Sequence, residues 1–331
     1  MEIRLSATLF IVTAVGALTL STAAAQSPRM RGALSGFVFD PDARGVRPLL
    51  GIPGAATMGD PLLAGVDLQN AAVSPDGDYA LAITNDGRGL LAILQLSGNT
   101  SVRALGAETA AGDTIELSPL GTYAVLYHHA TQSLQVVKGL PGAPSLGQRM
   151  DVARHGGPLS AFAINDQGTV LMAAPAGQVG QVYVFASDGE PHLISTVRHT
   201  ADLAFINATD AVLADDRHNE VYLLRSVTGV TATLPLAREA QGLAHPQSVA
   251  VSRDQRTVYV ANAGSADIIA INLSDGVTAR YACPCAPSAV RRLNGTAVFR
   301  LTEPDDGPLW LFDGDSAQPR IVFVPASKAK Q

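Results

Sequence analysis

The sequence is poor in charged and aromatic residues. Only 16% of the 331 residues are Asp, Glu, Lys or Arg, and 5% are aromatic. The 23 Lys and Arg are outnumbered by 29 Asp and Glu and form no basic run, so the chain lacks the positive surface that nucleic-acid binding needs. Hydrophobic residues make up 47%, which excludes a disordered polyelectrolyte and is enough for a large core or a repeat array.

Long apolar runs are also scarce, and the one present lies at the N-terminus. It extends from Leu5 to Leu20, and the small residues Ala23 and Ala25 after it fit the cleavage pattern of a secretory signal peptide. The run falls short of the roughly 20 residues that a membrane-spanning helix needs. We therefore expect residues 1–25 to be a signal peptide and residues 26–331 to form one exported domain, secreted or periplasmic, with no membrane span after cleavage.

One pattern, an apolar stretch followed by a polar turn and a second apolar stretch, occurs six times along the chain. The turns start at Ser74, Ser118, Asn165, Asn207, Ser252 and Arg291. Successive starts are roughly 39 to 47 residues apart, which is the period of a four-stranded propeller blade. A third apolar stretch follows in every repeat, and a weaker fourth follows in most.

This repetition predicts an all-β fold, a β-propeller of four-stranded blades. A single repeat cannot bury its apolar face, and closing the repeats into a ring leaves only short sheet edges. The stretch from Gly36 to Ala56 has the pattern of a further hairpin, which either completes the last blade or begins a separate one. The mature length divided by the mean repeat favours seven blades, with six as the alternative. Sustained helical periodicity is almost absent, which disfavours a helical fold.

Two repeats carry a family resemblance. The segment VSPDGDYALA around Ser74 and the segment AHPQSVAVSRDQRTVYVANAGSADIIAINLSDG around Ser252 resemble the repeats of YVTN-type and SPDG-type propellers, which include surface-layer, TolB-like and lactonase-like proteins. The resemblance implies the propeller fold and leaves function open, because the superfamily includes binding, scaffolding and hydrolysing proteins. The Trp-Asp pairs of WD40 repeats are absent, since the single tryptophan, Trp310, precedes Leu311.

Polar residues stand at the same distance before five of the six turn starts. They are Gln69, Asp113, Ser160, Asp202 and Gln247. In a propeller these positions lie near the start of the innermost strand, so we predict a ring of ligand-binding side chains at one mouth of the central channel. The alternative is that strand starts are polar simply because they are solvated.

Three histidines, His155, His199 and His245, stand on comparable loops of three consecutive repeats. Imidazoles from separate loops, with Asp202 or Asp113 as a carboxylate partner, are ligand types that zinc prefers, and an open coordination position would permit hydrolysis. No local spacing motif supports such a site. We therefore expect no cofactor, with a divalent metal at these histidines as the alternative.

The two cysteines, Cys283 and Cys285, are separated by one proline. In an oxidising compartment we expect them to be oxidised, either with each other or with outside partners. The nearest cation in the sequence is Arg280, so an activated thiolate is not indicated. A local disulfide is thus favoured over a redox role.

Motifs of nucleophilic hydrolases and nucleotide-binding proteins are absent. The chain has no G-x-S-x-G segment, no Walker loop and no G-x-G-x-x-G between a strand and a helix. The sequence therefore predicts an exported, non-catalytic propeller that binds or scaffolds a protein, peptide or glycan partner. The alternative is a lactonase-like or other metal-assisted hydrolase with its site at the channel mouth. No nucleic-acid partner is expected, and the oligomeric state is not indicated.

Overall fold

The computed structural model describes residues 33–86, 89–185, 189–304 and 307–326. Within them the chain forms 27 strands in seven antiparallel sheets. Helical structure in these ranges is limited to two single 3-10 turns, Ala153–His155 and Glu239–Gln241. No helix of the described residues has the length and apolar content to cross a membrane. The predicted signal peptide lies outside these residues.

Each sheet, or blade, takes its strands consecutively from the chain. Blade 1 contains β1 (Leu34–Asp40), β2 (Gly45–Leu50) and β3 (Thr57–Met58); blade 2 contains β4 (Leu68–Val73), β5 (Tyr79–Thr84), β6 (Leu90–Leu94) and β7 (Ser101–Ala104); blade 3 contains β8 (Thr114–Leu117), β9 (Tyr123–His128), β10 (Ser133–Lys138) and β11 (Ser145–Asp151); blade 4 contains β12 (Ala161–Ile164), β13 (Val170–Ala176), β14 (Val179–Phe185) and β15 (His192–Val197); blade 5 contains β16 (Asp202–Phe205), β17 (Ala211–Asp215), β18 (Glu220–Arg225) and β19 (Ala232–Ala237); blade 6 contains β20 (Pro246–Val251), β21 (Thr257–Asn262), β22 (Asp267–Asn272) and β23 (Thr278–Ala282); blade 7 contains β24 (Arg291–Asn294), β25 (Val298–Arg300), β26 (Leu309–Asp313) and β27 (Arg320–Val324).

The predicted β-propeller is confirmed, and the blade number is seven. The hairpin at Gly36 to Ala56 does not complete the last blade, because β1 and β2 pair with each other and with the short β3 in a sheet of their own. Blade 1 thus has three strands among the described residues, and the other six blades have four. The first strand of each blade lies innermost, and these strands contact one another in succession from β24 of blade 7 through β1 of blade 1 to β20 of blade 6.

The hydrophobic core is divided among the contacts between blades. The buried apolar side chains of the described residues fall into seven clusters, and each cluster combines residues of two consecutive blades. Blade 6 packs on blade 7, for example, through Tyr259 against Phe299, whose ring centroids are 5.0 Å apart. Since no blade buries its apolar faces alone, the repeats stabilise one another only when the ring is closed.

The repeated serines explain why the turns have a common sequence. Ser74, Ser118 and Ser252 are buried, and each side-chain oxygen accepts hydrogen bonds from the two backbone N–H groups at the far end of its turn. The hydroxyl therefore satisfies two donors that the tight hairpin would otherwise leave unpaired. The hydroxyl thereby fixes the geometry that joins the innermost strand to the second strand of the blade.

The ring is closed by packing between blades 1 and 7, which share no strand within the described residues of the range 33–326. Leu49 of blade 1 and Leu311 of blade 7 are fully buried in the cluster that joins the two blades. A Cβ on Gly36, whose φ is +139°, would lie 3.0 Å from the backbone oxygen of Leu293. Only glycine therefore permits this close approach of β1 to β24. Arg320 also donates to the backbone oxygen of Pro53 at 3.3 Å.

The last repeat departs from the predicted register. Arg291, taken as a turn start from the sequence, is the first residue of β24. The turn of blade 7 follows Asn294, because a register shift between Arg292 and Asn294 displaces the end of the strand. This difference places Arg291 beside the central channel.

Candidate functional site

A cavity of about 760 Å³ occupies the central channel. Residues from the first strands of all seven blades line it, together with several of the turns that follow these strands. An innermost strand is paired on one side only, so its second edge presents backbone N–H and C=O groups to the channel. The volume lies in the range of ligand pockets, about 300–1,000 Å³. We call the end at which the innermost strands begin the start-side mouth, and the end with the first turns the hairpin-side mouth.

An ion pair crosses the channel between two blades that are not neighbours. Arg291 of blade 7 lies 3.4 Å from a carboxylate oxygen of Glu116 in blade 3. The same guanidinium lies 3.2 Å from Oδ2 of Asp202 in blade 5. Three blades are therefore joined through one cation, and we call these residues the inner bridge.

Several hydrogen bonds fix the position of Asp202 in the inner bridge. It is buried, and its Oδ2 accepts hydrogen bonds from the hydroxyl of Ser248 at 2.7 Å and from the backbone N–H of Val249 at 3.0 Å. Its Oδ1 accepts from the N–H of Leu203. The Ser248 hydroxyl in turn accepts from the N–H of Val290 at 3.1 Å. The Asp202 carboxylate of blade 5 thereby binds blade 6 directly. It is also connected to blade 7, through Ser248 and through Arg291.

The electrostatics of the inner bridge follow from its position inside the ring. Burial, and secondarily the charge of Asp202, raise the pKa of Glu116 above its ordinary value, although Arg291 and Arg300 act in the opposite direction. The carboxylates of Glu116 and Asp202 raise the pKa of Arg291. The Glu116 side chain keeps 35% of its surface open, but that surface faces the central cavity, which is lined by protein on all sides of the ring. This confinement explains how a group with an accessible surface is still poorly solvated.

The raised pKa of Glu116 predicts a pH dependence of stability. A carboxyl whose pKa is higher in the folded than in the unfolded state binds its proton more tightly when folded. The free energy of unfolding should therefore fall as the pH rises from the ordinary glutamate range through the raised pKa of Glu116. Glu116→Gln cannot titrate, so its denaturation midpoints in urea between pH 4 and pH 8 should depend less on pH. An unchanged pH profile in this variant would contradict the assignment.

A second ion pair crosses the hairpin-side mouth. Arg253, in the first turn of blade 6, lies 2.6 Å from Asp76, in the first turn of blade 2. Blades 7 and 1 separate these turns along the ring, so the side chains meet over the channel. Both remain nearly half exposed, at 47% and 43%. We call this pair the outer bridge.

The hairpin-side mouth has an apolar part beside the outer bridge. Pro41, Pro75, Pro119 and Leu120 line the cavity there. Leu120 keeps 60% of its surface exposed, and it is the one large exposed hydrophobic residue of the described chain that lines this cavity. This mouth thus combines an exposed apolar side chain with two charged groups.

The five predicted ring residues occupy different environments. The cavity lining contains none of the five but does contain the residue after three of them: Asn70 after Gln69, Thr114 after Asp113 and Leu203 after Asp202. Asp113 is buried and accepts a hydrogen bond from Nδ1 of His128 at 2.9 Å.

Of the remaining three, the hydroxyl of Ser160 donates to the backbone oxygen of Ala173, and Gln247 contacts the imidazole of His245. Asp202, as part of the inner bridge, reaches the channel through Arg291. A ring that binds a ligand remains a prediction.

Two of the three predicted metal-binding histidines meet at one carboxylate. Nδ1 of His199 lies 2.6 Å from Asp216, and Nδ1 of His245 lies 3.7 Å from the other carboxylate oxygen. His155 lies elsewhere, in the 3-10 turn of blade 4, with its ring 4.9 Å from that of Tyr183. Among the described residues, no group of three or more His, Cys, Asp or Glu has a metal-binding arrangement. The metal site therefore remains a prediction that these contacts do not support.

Cys283 and Cys285 form a disulfide with each other, with Cα atoms 5.0 Å apart. Cys283 is buried in the cluster between blades 6 and 7. The bridge lies just before the innermost strand of blade 7. It stiffens the connection that carries Arg291 into the channel.

The two bridges were not predicted from the sequence. Glu116 and Asp76 lie in repeats far from those of Arg291 and Arg253, so no spacing pattern connects them. The available signal was limited to a departure from the repeat: Glu116 stands on an innermost strand where three other repeats have alanine, at Ala72, Ala204 and Ala250. A charged residue at a repeat position that is small in several other blades indicates the channel wall.

Known structures are similar to this chain in fold alone. No protein-family model matches the chain, and no curated protein matches it by sequence. A functionally unknown protein from Desulfotomaculum acetoxidans superposes with a TM-score of 0.59 at 14% identity, covering 88% of this chain and 99% of that one. The WD40 repeats of RRP9 superpose with a TM-score of 0.55 at 12% identity, covering 80% and 82%. A protein from Lactobacillus plantarum gives 0.53 at 16% identity, covering 88% and 96%. The chain is similar to these structures as a β-propeller.

Proposed function

We propose that this chain is an exported, non-catalytic propeller of the YVTN and SPDG type that binds a peptide segment of a protein partner. The observation that carries the proposal is the hairpin-side mouth. There a cavity of about 760 Å³ opens beside the exposed Leu120 and the outer bridge. An exposed apolar anchor next to a few charged groups is typical of a recognition surface. The unpaired strand edges in the channel supply further hydrogen-bonding groups.

Export is part of the proposal. The apolar N-terminal run supports a cleaved signal peptide, and the disulfide between Cys283 and Cys285 supports an oxidising compartment such as the periplasm or the exterior. A peptide is preferred to a glycan because Leu120 and the three neighbouring prolines give the mouth an aliphatic part.

Selection from a displayed random-peptide library tests the function. Peptides that bind the wild-type protein are to be labelled, and their affinities measured by fluorescence polarisation. Leu120→Asp should weaken binding about tenfold or more, because a buried leucine side chain contributes about 1.5–3 kcal/mol. Val230→Asp is the matched control, since Val230 is 95% exposed on an outer loop of blade 5.

Equal affinities for the Leu120 and Val230 variants would contradict the proposal. Failure to select any peptide would contradict it as well. Both variants change exposed side chains, so loss of folding does not confuse the comparison. Circular dichroism of each variant verifies this.

A further inference from the structure

The hairpin-side mouth contains a guanidinium without a carboxylate partner. Arg292, on the innermost strand of blade 7, lines the cavity and donates to the backbone oxygen of Val251 in blade 6. Its Nε is buried and has no hydrogen-bond partner in the part of the chain that the structure describes. Among the described residues no carboxylate forms an ion pair with it. A buried donor left unpaired is costly, so Arg292 is a group that a ligand could complete.

A second guanidinium lies on the same side of the channel. Arg253 follows Val251, the acceptor of Arg292, by two residues and also lines the cavity. Burial, and then the charge of Arg253, lower the pKa of Arg292. Two cations thus oppose each other at one mouth. An anion between them would relieve this repulsion.

The neighbouring carboxylates do not act as the anion between Arg253 and Arg292. Asp76, Asp166 and Asp254 raise the pKa of Arg292 from a distance, but each is already engaged by other groups. Asp76 binds Arg253, and the other two accept hydrogen bonds from their own or an adjacent turn. Both members of the outer bridge are nearly half exposed, and ion pairs of this kind contribute little to stability. The outer bridge can therefore open when a better partner arrives.

Resting on the proposed function, we infer that the ligand carries an anionic group, a carboxylate or a phosphate, which binds between Arg253 and Arg292 and displaces Asp76. Both anions present two oxygens in the geometry that a guanidinium recognises with paired hydrogen bonds. Asp76 then competes with the ligand, because its carboxylate occupies the position that the anionic group of the ligand would take beside Arg253. The apolar part of the mouth receives the adjoining portion of the ligand.

Titration with two small probes tests the inference in the full-length protein. Glutarate represents the carboxylate and phenyl phosphate the phosphate, and the arginine side-chain Nε–Hε signals are followed by NMR, assigned with Arg253→Lys and Arg292→Lys. Asp76→Asn should tighten binding of at least one probe severalfold, because it removes the competing charge. Arg253→Met or Arg292→Met should weaken binding about tenfold, as expected for loss of a charge-assisted hydrogen bond.

Arg103→Met is the matched control, since Arg103 is exposed on the outer strand of blade 2 and also donates to a backbone oxygen. It should leave the affinity of both probes unchanged. The probe that binds more tightly identifies the anion.

An Asp76→Asn variant that binds both probes more weakly, or wild-type signals that do not saturate with either, would overturn the inference. Peptide binding that depends on Leu120 but on neither arginine would leave the proposed function intact and remove this site alone.

Discussion

Asp202→Ala is expected to lower the free energy of unfolding by about 3–5 kcal/mol, the usual cost of removing one partner from a buried charged pair. The substitution leaves Ser248 and the N–H of Val249 without their acceptor and leaves Arg291 with Glu116 alone. Urea denaturation followed by tryptophan fluorescence measures the change, because the single tryptophan, Trp310, lies in blade 7, which the inner bridge holds in place.

Asp275→Ala is the matched control for Asp202. Asp275 lies in the exposed turn between β22 and β23 and accepts only a local hydrogen bond from the N–H of Val277. Its removal should change stability by less than about 1 kcal/mol. If Asp202→Ala were as mild as this control, the inner bridge would not be a structural link between blades 5, 6 and 7.

Leu49→Ala should destabilise the protein by about 2–5 kcal/mol, as deletion of a fully buried leucine side chain does elsewhere. Leu49 has no exposed surface and lies in the cluster that closes the ring between blades 1 and 7. Because blades 1 and 7 share no strand among the described residues, packing must supply most of the closure. In Leu49→Ala, amide hydrogen exchange should therefore be faster in blades 1 and 7 than in blades 3 and 4.

The adjacent residue provides the control for Leu49. Leu50 is 49% exposed, so Leu50→Ala removes the same atoms from a site that is already in contact with water. The loss should stay below about 1 kcal/mol, without selective exchange in the two end blades. A uniform loss of protection around the whole ring in Leu49→Ala would show that closure is not localised at this contact.

The sequence predicts the strands well, since each depends on a local pattern. The third strand of blade 6, Asp267–Asn272, and the last strand, Arg320–Val324, form at the third and fourth apolar stretches of their repeats. Alternating apolar residues and serine-led turns act within a few residues, so they can be recognised without knowledge of the ring. The blade number followed from the same period.

The site was harder to predict because it depends on which blades face each other. Glu116 and Arg291 meet only after the ring closes, and the spacing of the repeats does not indicate which side chains extend into the channel. Asp113 illustrates a second difficulty. A polar residue at a strand start has the same sequence pattern whether it faces the channel or, as here, pairs with a buried histidine of its own blade. Distinguishing the two requires side-chain contacts.

The closure between blades 1 and 7 has a consequence for the order of the blades in the gene. Since each of the seven described sheets takes its strands from one continuous segment, blades 1 and 7 meet as any other neighbouring pair does, through side chains. A circular permutant that links the ends and opens a different connection between blades would keep every sheet and every interface. In this architecture any of the seven blades could come first in the polypeptide, because the contacts between blades do not depend on blade order along the chain.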